Sequence, residues 1–420
     1  MFLICLTFYL LVNLFNNTIS VFFLPALHIL WLYDFKKKVY TSKIYVLLGS
    51  CLLIMLLFQM PVFENDYYRY FLDGTHYLKG MPAYDWAPKD STIVISGEVP
   101  MEAVGYPEEK TVYPPILLVF FAGLVFLSFE QLFLFCWLLK LFAFLCLAPL
   151  LYFLFIKQKH PEPTQTTAMA LLNPLVFFEV FRNLHFEFLT AFGLLCFFYC
   201  RGGFAFLGYV FSTSLRMLYA PAFLFAFSLK SFRHHVLGGL AGLIFVWAVP
   251  LFFLSGELSQ FSRNLNWIRL NWEMNSGLFR WCRQVAYNFS LDGLFAIEAS
   301  YLFCGSLVLI FAVFLWRWRH ITLFEKMTLL GMFGPLVSPV VNPWYFVPSA
   351  LLIHFVRPQI QVSLFLFLGF LSFYYLFFLI PGQLDGPPGV WLEIEHFLLW
   401  SCLVHALWTL GLRPGARTKT

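Results

Sequence analysis

The run Glu64-Asn65-Asp66-Tyr67-Tyr68-Arg69-Tyr70-Phe71-Leu72-Asp73-Gly74 sets three carboxylates and a guanidinium directly after the apolar segment Ile44 to Phe63. Carboxylates are costly at membrane depth, so such a cluster where a helix leaves the bilayer calls for a reason. A carboxylate there can take a proton from a hydroxyl, and a guanidinium can hold an anion. If Asp66 begins an interfacial helix, Arg69, Asp73 and His76 follow at helical spacings and share its face. Arg182, Asn183, His185 and Glu187 form a second constellation, between Leu171–Phe181 and Phe188–Phe198, with Asn173-Pro174 upstream. Arg216 stands in an apolar run without an acidic neighbour, and Lys140 and Glu179 are similarly isolated. Singly, each of these reads as well as half of an inter-helix ion pair. Together, on one side of the membrane, they favour a site.

Structural roles compete at several positions. Asn65 or Asp66 could serve as an N-cap. Asp73, four residues from Arg69, reads best as its ion-pair partner. Trp344 and Tyr345 suit an interface anchor, and Tyr113-Pro114-Pro115 suits the entry of a re-entrant helix.

The elements that must position these groups are membrane helices. The chain is 60% hydrophobic and only 12% charged, where a soluble domain is about a quarter charged. The runs Ile44–Val62, Leu132–Ile156, Val236–Leu254, Leu302–Leu315, Ser363–Ile380 and Phe397–Leu410 are long enough, or nearly so, to cross about 30 Å of hydrocarbon. The fold class is therefore all-α, a polytopic transmembrane helical bundle forming a single integral-membrane domain over 1–420. Most of the nine cysteines lie in apolar runs and read as small buried hydrophobes. Basic clusters at 36–38, 157–160, Arg201, 230–235, 317–320, Arg357 and 413–419 belong on the cytoplasmic side. The C-terminus then falls inside, while the N-terminal side stays undetermined.

Three segments fall outside: 64–115, which carries the acidic run; 255–298, where Trp267, Trp272 and Trp281 interleave with arginines; and the short 382–395. Breaks at Tyr113-Pro114-Pro115, at Arg216 to Pro221 and at Ser338 to Tyr345 suggest re-entrant pieces around an outward-facing pocket. Nothing in the chain suggests a nucleic-acid partner.

These motifs resemble those of bacterial GT-C glycosyltransferases, most closely the polyprenol-phosphate-mannose-dependent mannosyltransferases. The resemblance is carried by Asp66-Tyr67-Tyr68-Arg69-Tyr70 with Asp73-Gly74, and by Gly80-Met81-Pro82-Ala83-Tyr84 with Ala87-Pro88. It continues through Tyr113-Pro114-Pro115, Asn173-Pro174-Leu175 with Glu179 and Asn183-Leu184-His185, and Arg216 with Tyr219-Ala220-Pro221. It ends at Ser338-Pro339-Val340-Val341-Asn342-Pro343-Trp344-Tyr345. Departures are Asn65-Asp66 in place of a paired acid, Phe186-Glu187 after the outer histidine, and Arg216 where Lys is common. The last keeps the charge but permits bidentate phosphate contact.

The resemblance implies a GT-C-like bundle of roughly 11–13 membrane helices with extracytoplasmic interfacial helices and re-entrant segments. It implies inverting transfer of a hexose, mannose favoured, from a polyprenyl-phosphate-linked donor to a hydroxyl of a glycan, lipid or protein acceptor. The reaction would take place on the extracytoplasmic face of a bacterial inner membrane. Asp66 is then the candidate base with Glu64 beside it, raising its pKa or orienting the acceptor. Arg69, Arg182, His185 and Arg216 are candidates for neutralising the lipid phosphate. Asp73, His76, Tyr113, Asn183, Glu187, Asn342 and Tyr345 complete the candidate substrate-binding set. No cofactor and no metal is expected; a divalent ion at Glu64 and Asp66 is the disfavoured variant. The readings from other classes are a secondary transporter or flippase, with Arg216 and Glu179 at midplane, and a non-catalytic envelope-glycan assembly protein.

Overall fold

A computed structural model describes residues 2–3, 5–6, 24–38, 43–61, 64–90, 99, 101–200, 203–226, 258–289, 292–371, 374 and 389–412. Arg201, the basic runs 230–235 and 413–419, the apolar run Val236–Leu254 and the first half, 382–388, of the segment 382–395 lie outside these. The described residues are mostly helical, joined by turns and without a strand; one isolated bridge joins Met274 and Val340.

Among the described residues, two helices are long and apolar enough to cross a bilayer unaided, Leu132–Lys157 and Gly293–Arg317. A third crossing is made if the bent pair Pro174–Arg182 and Glu187–Tyr199 counts as one. Pro115–Leu127 and Pro358–Leu371 are apolar but shorter; thirteen residues of helix reach only about 20 Å. The outer surface is strongly apolar. Leu302, Ile310, Phe397 and Trp408 are each more than 60% exposed, which water would penalise and lipid does not. This is a membrane protein.

Close backbone contacts fix how the helices meet. Glu187–Tyr199 and Gly203–Leu215 form a hairpin in which a Cβ on Gly193 would lie 2.5 Å from the Gly208 carbonyl oxygen. A Cβ on Gly208 would in turn lie 2.4 Å from that of Gly193. Small residues at such a crossing let backbones approach where lipid supplies no hydrophobic drive. The hairpin brings Glu187, at its first residue, beside Arg216, just past its last. A second close contact sets Asp66–Leu78 on Pro115–Leu127: a Cβ on Gly74 would come within 2.8 Å of the Phe121 backbone.

The Asp66–Leu78 helix starts where the spacing predicts, but it is not a surface element. Tyr67 and every residue from Arg69 to His76 are buried. Asn65 occupies the N-cap without a side-chain cap bond. Asp66 sits in the first turn, where the exposed amides favour an anion.

The carbonyls at the end of the preceding helix, Lys43–Leu57, are held by two cations from elsewhere. The fully buried Lys140 donates Nζ to the Leu56 carbonyl at 2.8 Å and also to that of Gln59. Arg182 donates Nη1 to Gln59 Oε1 at 2.8 Å and to the Met60 carbonyl at 3.2 Å. Lys140 thus answers a last-turn carbonyl that a helix leaves unpaired, and Arg182 holds the residues just beyond it. The chain they fix continues into Glu64 and Asp66.

Candidate functional site

The acidic run, the bent helix pair, the hairpin end and the break at 338–345 converge on one polar cluster. Its centre is Arg216. The guanidinium pairs through Nη2 with Glu187 Oε1 and lies 4.1 Å from the centre of the Tyr345 ring and 5.7 Å from that of Phe186. Glu187 is 1% exposed and Arg216 23%. The Nε of Arg216 and Oε2 of Glu187 are buried without a hydrogen-bond partner.

Asp66 and Glu64 keep part of their surface open to solvent, yet the surroundings exclude enough water to raise both carboxyls. For Asp66 that loss of water is opposed by Arg69, Arg216 and a hydrogen bond with Tyr70. For Glu64 nothing opposes it: burial, the Asp66 charge and the Glu179 charge all raise it, and it ends well above the carboxylate range. The pair is therefore split. Glu64 holds its proton to higher pH, and Asp66 ionises first. Asp66 is raised, as the sequence expectation has it, but burial is the largest cause and the nearby cations limit the rise.

Aromatic groups wall the space. Tyr70, Tyr113, Phe121 and Phe186 pack ring against ring, with Tyr70 and Phe121 stacked at 4.8 Å and Tyr113 edge-on to Phe186 at 5.8 Å. The Tyr70 and Tyr113 hydroxyls are pushed well up by burial, then by the Asp66 charge, so both stay protonated donors.

The bent pair contributes Glu179 and His185. Phe177–Arg182 is a π-helical turn, the kind of local widening often found at functional sites. After it the chain turns through Leu184 at φ +68°. His185 Nε2 lies 3.5 Å from Glu179 Oε2, and its ring stacks on Trp344 at 4.0 Å. Asn183 donates to the same carboxylate at 3.4 Å. Asn342 accepts from the Tyr374 hydroxyl at 3.0 Å.

Other predicted residues have structural engagements. Arg69 donates Nη1 to the carbonyls of Tyr106 (3.0 Å) and Glu109 (2.8 Å), and its Nη2 lies 3.5 Å from Asp73. It therefore binds the loop 106–109 to the helix while its charge still acts on Asp66. His76 is buried further along that helix and is held below the usual imidazole value by burial, partly offset by Asp73. Arg182 reaches Gln59 and Met60, as described. Lys140 pairs with carbonyls and not, as an inter-helix ion pair would require, with an acid; Leu56 and Gln59 offer oxygen without a second buried charge.

Residues 258–276 pack against the segment 64–115 and the break at 338–345. Asn264 donates to the carbonyls of Tyr84 (2.9 Å) and Thr111 (3.1 Å), tying Leu258–Asn271 to the segment 64–115. Trp272 meets Tyr106 ring to ring at 4.4 Å, and Met274 bridges to 339–341 through two backbone hydrogen bonds. Tyr70, Tyr374, Asn275 and Glu395 were not singled out by the sequence. Tyr70 carried a signal, one helical turn after Asp66; for the other three, proximity arises only in the folded chain.

Residues 27–232 match the family model described as "Alpha-(1->6)-mannopyranosyltransferase, N-terminal domain", of the MptA_B family. No curated protein and no solved structure matches the chain. The matched stretch contains Glu64, Asp66, Arg182, Glu187 and Arg216, whereas Asn342, Tyr345 and the closing loop lie beyond it. Over that stretch, a little under half of the chain, the sequence is similar to mannosyltransferases.

Proposed function

We infer that the chain is a multi-pass GT-C-type enzyme that transfers mannose, with inversion, from a polyprenyl-phosphate donor to a glycan hydroxyl on the extracytoplasmic face of a bacterial cell membrane. The observation that carries this reading is the juxtaposition of a half-buried, ionisable Asp66 with the ring-stacked Arg216 guanidinium in one aromatic-walled cluster. Asp66 accepts the proton of the attacking hydroxyl as its oxygen bonds to the anomeric carbon. The bond from that carbon to the phosphate oxygen breaks, and polyprenyl phosphate leaves with the electron pair. Arg216, through the Nε edge that no protein group uses, stabilises the charge developing on the phosphate. Glu64, carrying its proton, and the Tyr70 and Tyr113 hydroxyls are donors for the sugar or phosphate oxygens. The description of the matched family favours a 6-hydroxyl of mannose as the acceptor position.

The test is transfer of labelled mannose from polyprenyl-phosphate-mannose by purified wild type and Asp66→Asn, with and without EDTA. Asp66→Asn is expected to lower turnover about 10²- to 10⁴-fold, the usual contribution of a general base, while Glu64→Gln stays within about tenfold. Equal turnover by wild type and Asp66→Asn would reject this assignment. Transport of a lipid-linked sugar without release of polyprenyl phosphate would support the transporter reading instead.

A further inference from the structure

Away from the polar cluster, the last turns of Gly293–Arg317 and Gly389–Leu412 leave an apolar groove between them. Its volume is 380 Å³, and it is lined by Phe314, Trp318, Val404, Leu407, Trp408 and Gly411. Phe333, from Leu323–Leu336, stands between the two helices one turn before the groove. Its ring stacks on Phe311 at 4.2 Å and meets Trp400 edge-on at 5.7 Å. This wedge keeps the helices apart, and past it the groove opens toward their ends. A Cβ on Gly411 would meet no atom within 4 Å.

Charge collects at the open end. Arg317 follows Phe314 by three residues and so lies beside it on the helix surface, and Arg319 comes directly after Trp318. Both arginines and His320 are exposed. No acidic residue occurs in 299–324 or in 396–420, and Glu325, the next along, is paired with Arg357. The two elements that flank the groove therefore carry only positive charge here. The positive-inside rule assigns this end to the cytoplasmic leaflet, and Trp318 and Trp408 suit the level of its headgroups. That leaflet is the one rich in anionic lipid.

We propose that the groove binds an anionic phospholipid, with an acyl chain between Phe314 and Trp408 and the phosphate held by Arg317 and Arg319. Two observations favour a lipid over a second copy of the chain. The groove runs from Val404 to Gly411, about 10 Å along the helix, whereas an average helix is about 16 Å long; a flexible acyl chain follows so short a slot. A two-fold interface would also set the same patch against itself, bringing Arg317 and Arg319 against like charges. The lipid supplies the contact that the Phe333 wedge denies the two helices and fixes the C-terminal helix to Gly293–Arg317. The arginines select an anionic headgroup over a neutral one, and the groove distinguishes a site from the general attraction of a basic surface. This stands apart from the transferase reading.

The experiment uses the full chain in vesicles of phosphatidylcholine and phosphatidylglycerol, with one or the other lipid brominated on its acyl chains. Bromine quenches nearby indoles, and the difference between wild type and Trp408→Phe isolates the signal at the groove. Exchange at Trp408 is expected to favour phosphatidylglycerol by about 5- to 30-fold, since each arginine near an anionic lipid contributes roughly fivefold. Arg317→Gln combined with Arg319→Gln should bring the ratio to about one. Gly411→Leu, whose side chain fills the groove without meeting the fold, should do the same with both arginines in place. These positions are exposed, so each variant should keep the wild-type melting temperature in detergent, and the ratios are compared between proteins that do. Equal quenching of wild type by the two lipids would overturn the site. So would a preference that survives Gly411→Leu, which would assign it to the basic surface alone. Protection of Trp408 from both lipids that grows with the protein-to-lipid ratio would overturn it too and give the face to a second copy.

Discussion

Two buried acid–arginine pairs in this molecule are built to different specifications. In the first, Glu325 is wholly buried and every lone pair is used: Oε1 accepts from Arg357 Nε at 2.6 Å and Arg357 N at 3.2 Å. Its Oε2 accepts from the Thr322 amide at 2.7 Å and Arg357 Nη2 at 3.3 Å, and Thr322 returns a capping-box bond to the Glu325 amide. In the second, Glu187 and Arg216, one carboxylate oxygen and the guanidinium Nε have no partner. A saturated network specifies a structure, and an unsaturated one specifies a structure plus something that is not protein. The first fixes two helices to each other. The second, with Asp66 within its electrostatic reach, has capacity left for a substrate.

The contrast can be broken at either pair. Arg357→Ala strands a fully buried carboxylate and should cost about 3–5 kcal/mol of stability. It would be read as a large fall in melting temperature in detergent, with turnover per folded molecule near wild type. Arg216→Ala should do the reverse, lowering turnover about 10²- to 10³-fold as for loss of one transition-state donor with a smaller fall in melting temperature. Equal effects of the two substitutions on both readouts would erase the distinction.

The smallest expected effect sharpens the comparison through pH. Glu64 is raised in the folded protein, so the folded state holds a proton that the unfolded chain releases near its ordinary value of about 4.3. Stability therefore falls as pH rises above that value, until Glu64 itself ionises in the folded state. Glu64→Gln removes this cost. It should melt roughly 1–2 °C above wild type at pH 7, with the gain vanishing below pH 4. A gain that instead grew on acidification would contradict the split between Glu64 and Asp66.

What the sequence could and could not foretell follows from the range of the interactions. The start of the helix at Asp66, the break before Glu187 and the ion pair of Arg69 with Asp73 were legible because composition and spacing over a few residues decide them. The partner of Arg216 was anticipated as a distant acid or a bound phosphate; the hairpin with its close glycine contact supplies the acid, Glu187. Lys140 defeated the ion-pair expectation because its partners are backbone carbonyls, which carry no sequence signature. Asn275 and Glu395 stand 120 residues apart, in two outer segments of which only the first was singled out for its aromatic and basic residues. Their meeting depends on a loop docking, through one bridge, on the break at 339–341. The π-helical turn at Phe177–Arg182 left no periodicity to read.

Lys140 also bears on how the chain is made. A lysine within an apolar helix raises the cost of membrane insertion by about 2.5–3.5 kcal/mol near the helix centre. Its two acceptors, the carbonyls of Leu56 and Gln59, belong to a segment synthesised some eighty residues earlier. The ribosome thus delivers the acceptors before the charge that needs them. Leu132–Lys157 is expected to insert efficiently only after 43–60 is already in the bilayer. In a translocation assay its insertion should fall when that earlier segment is deleted, and should become indifferent to the deletion once Lys140 is replaced by Leu. One contact would then serve two ends: the ammonium that admits the later helix to the membrane also holds the end of the earlier one, from which the chain runs on to Glu64 and Asp66.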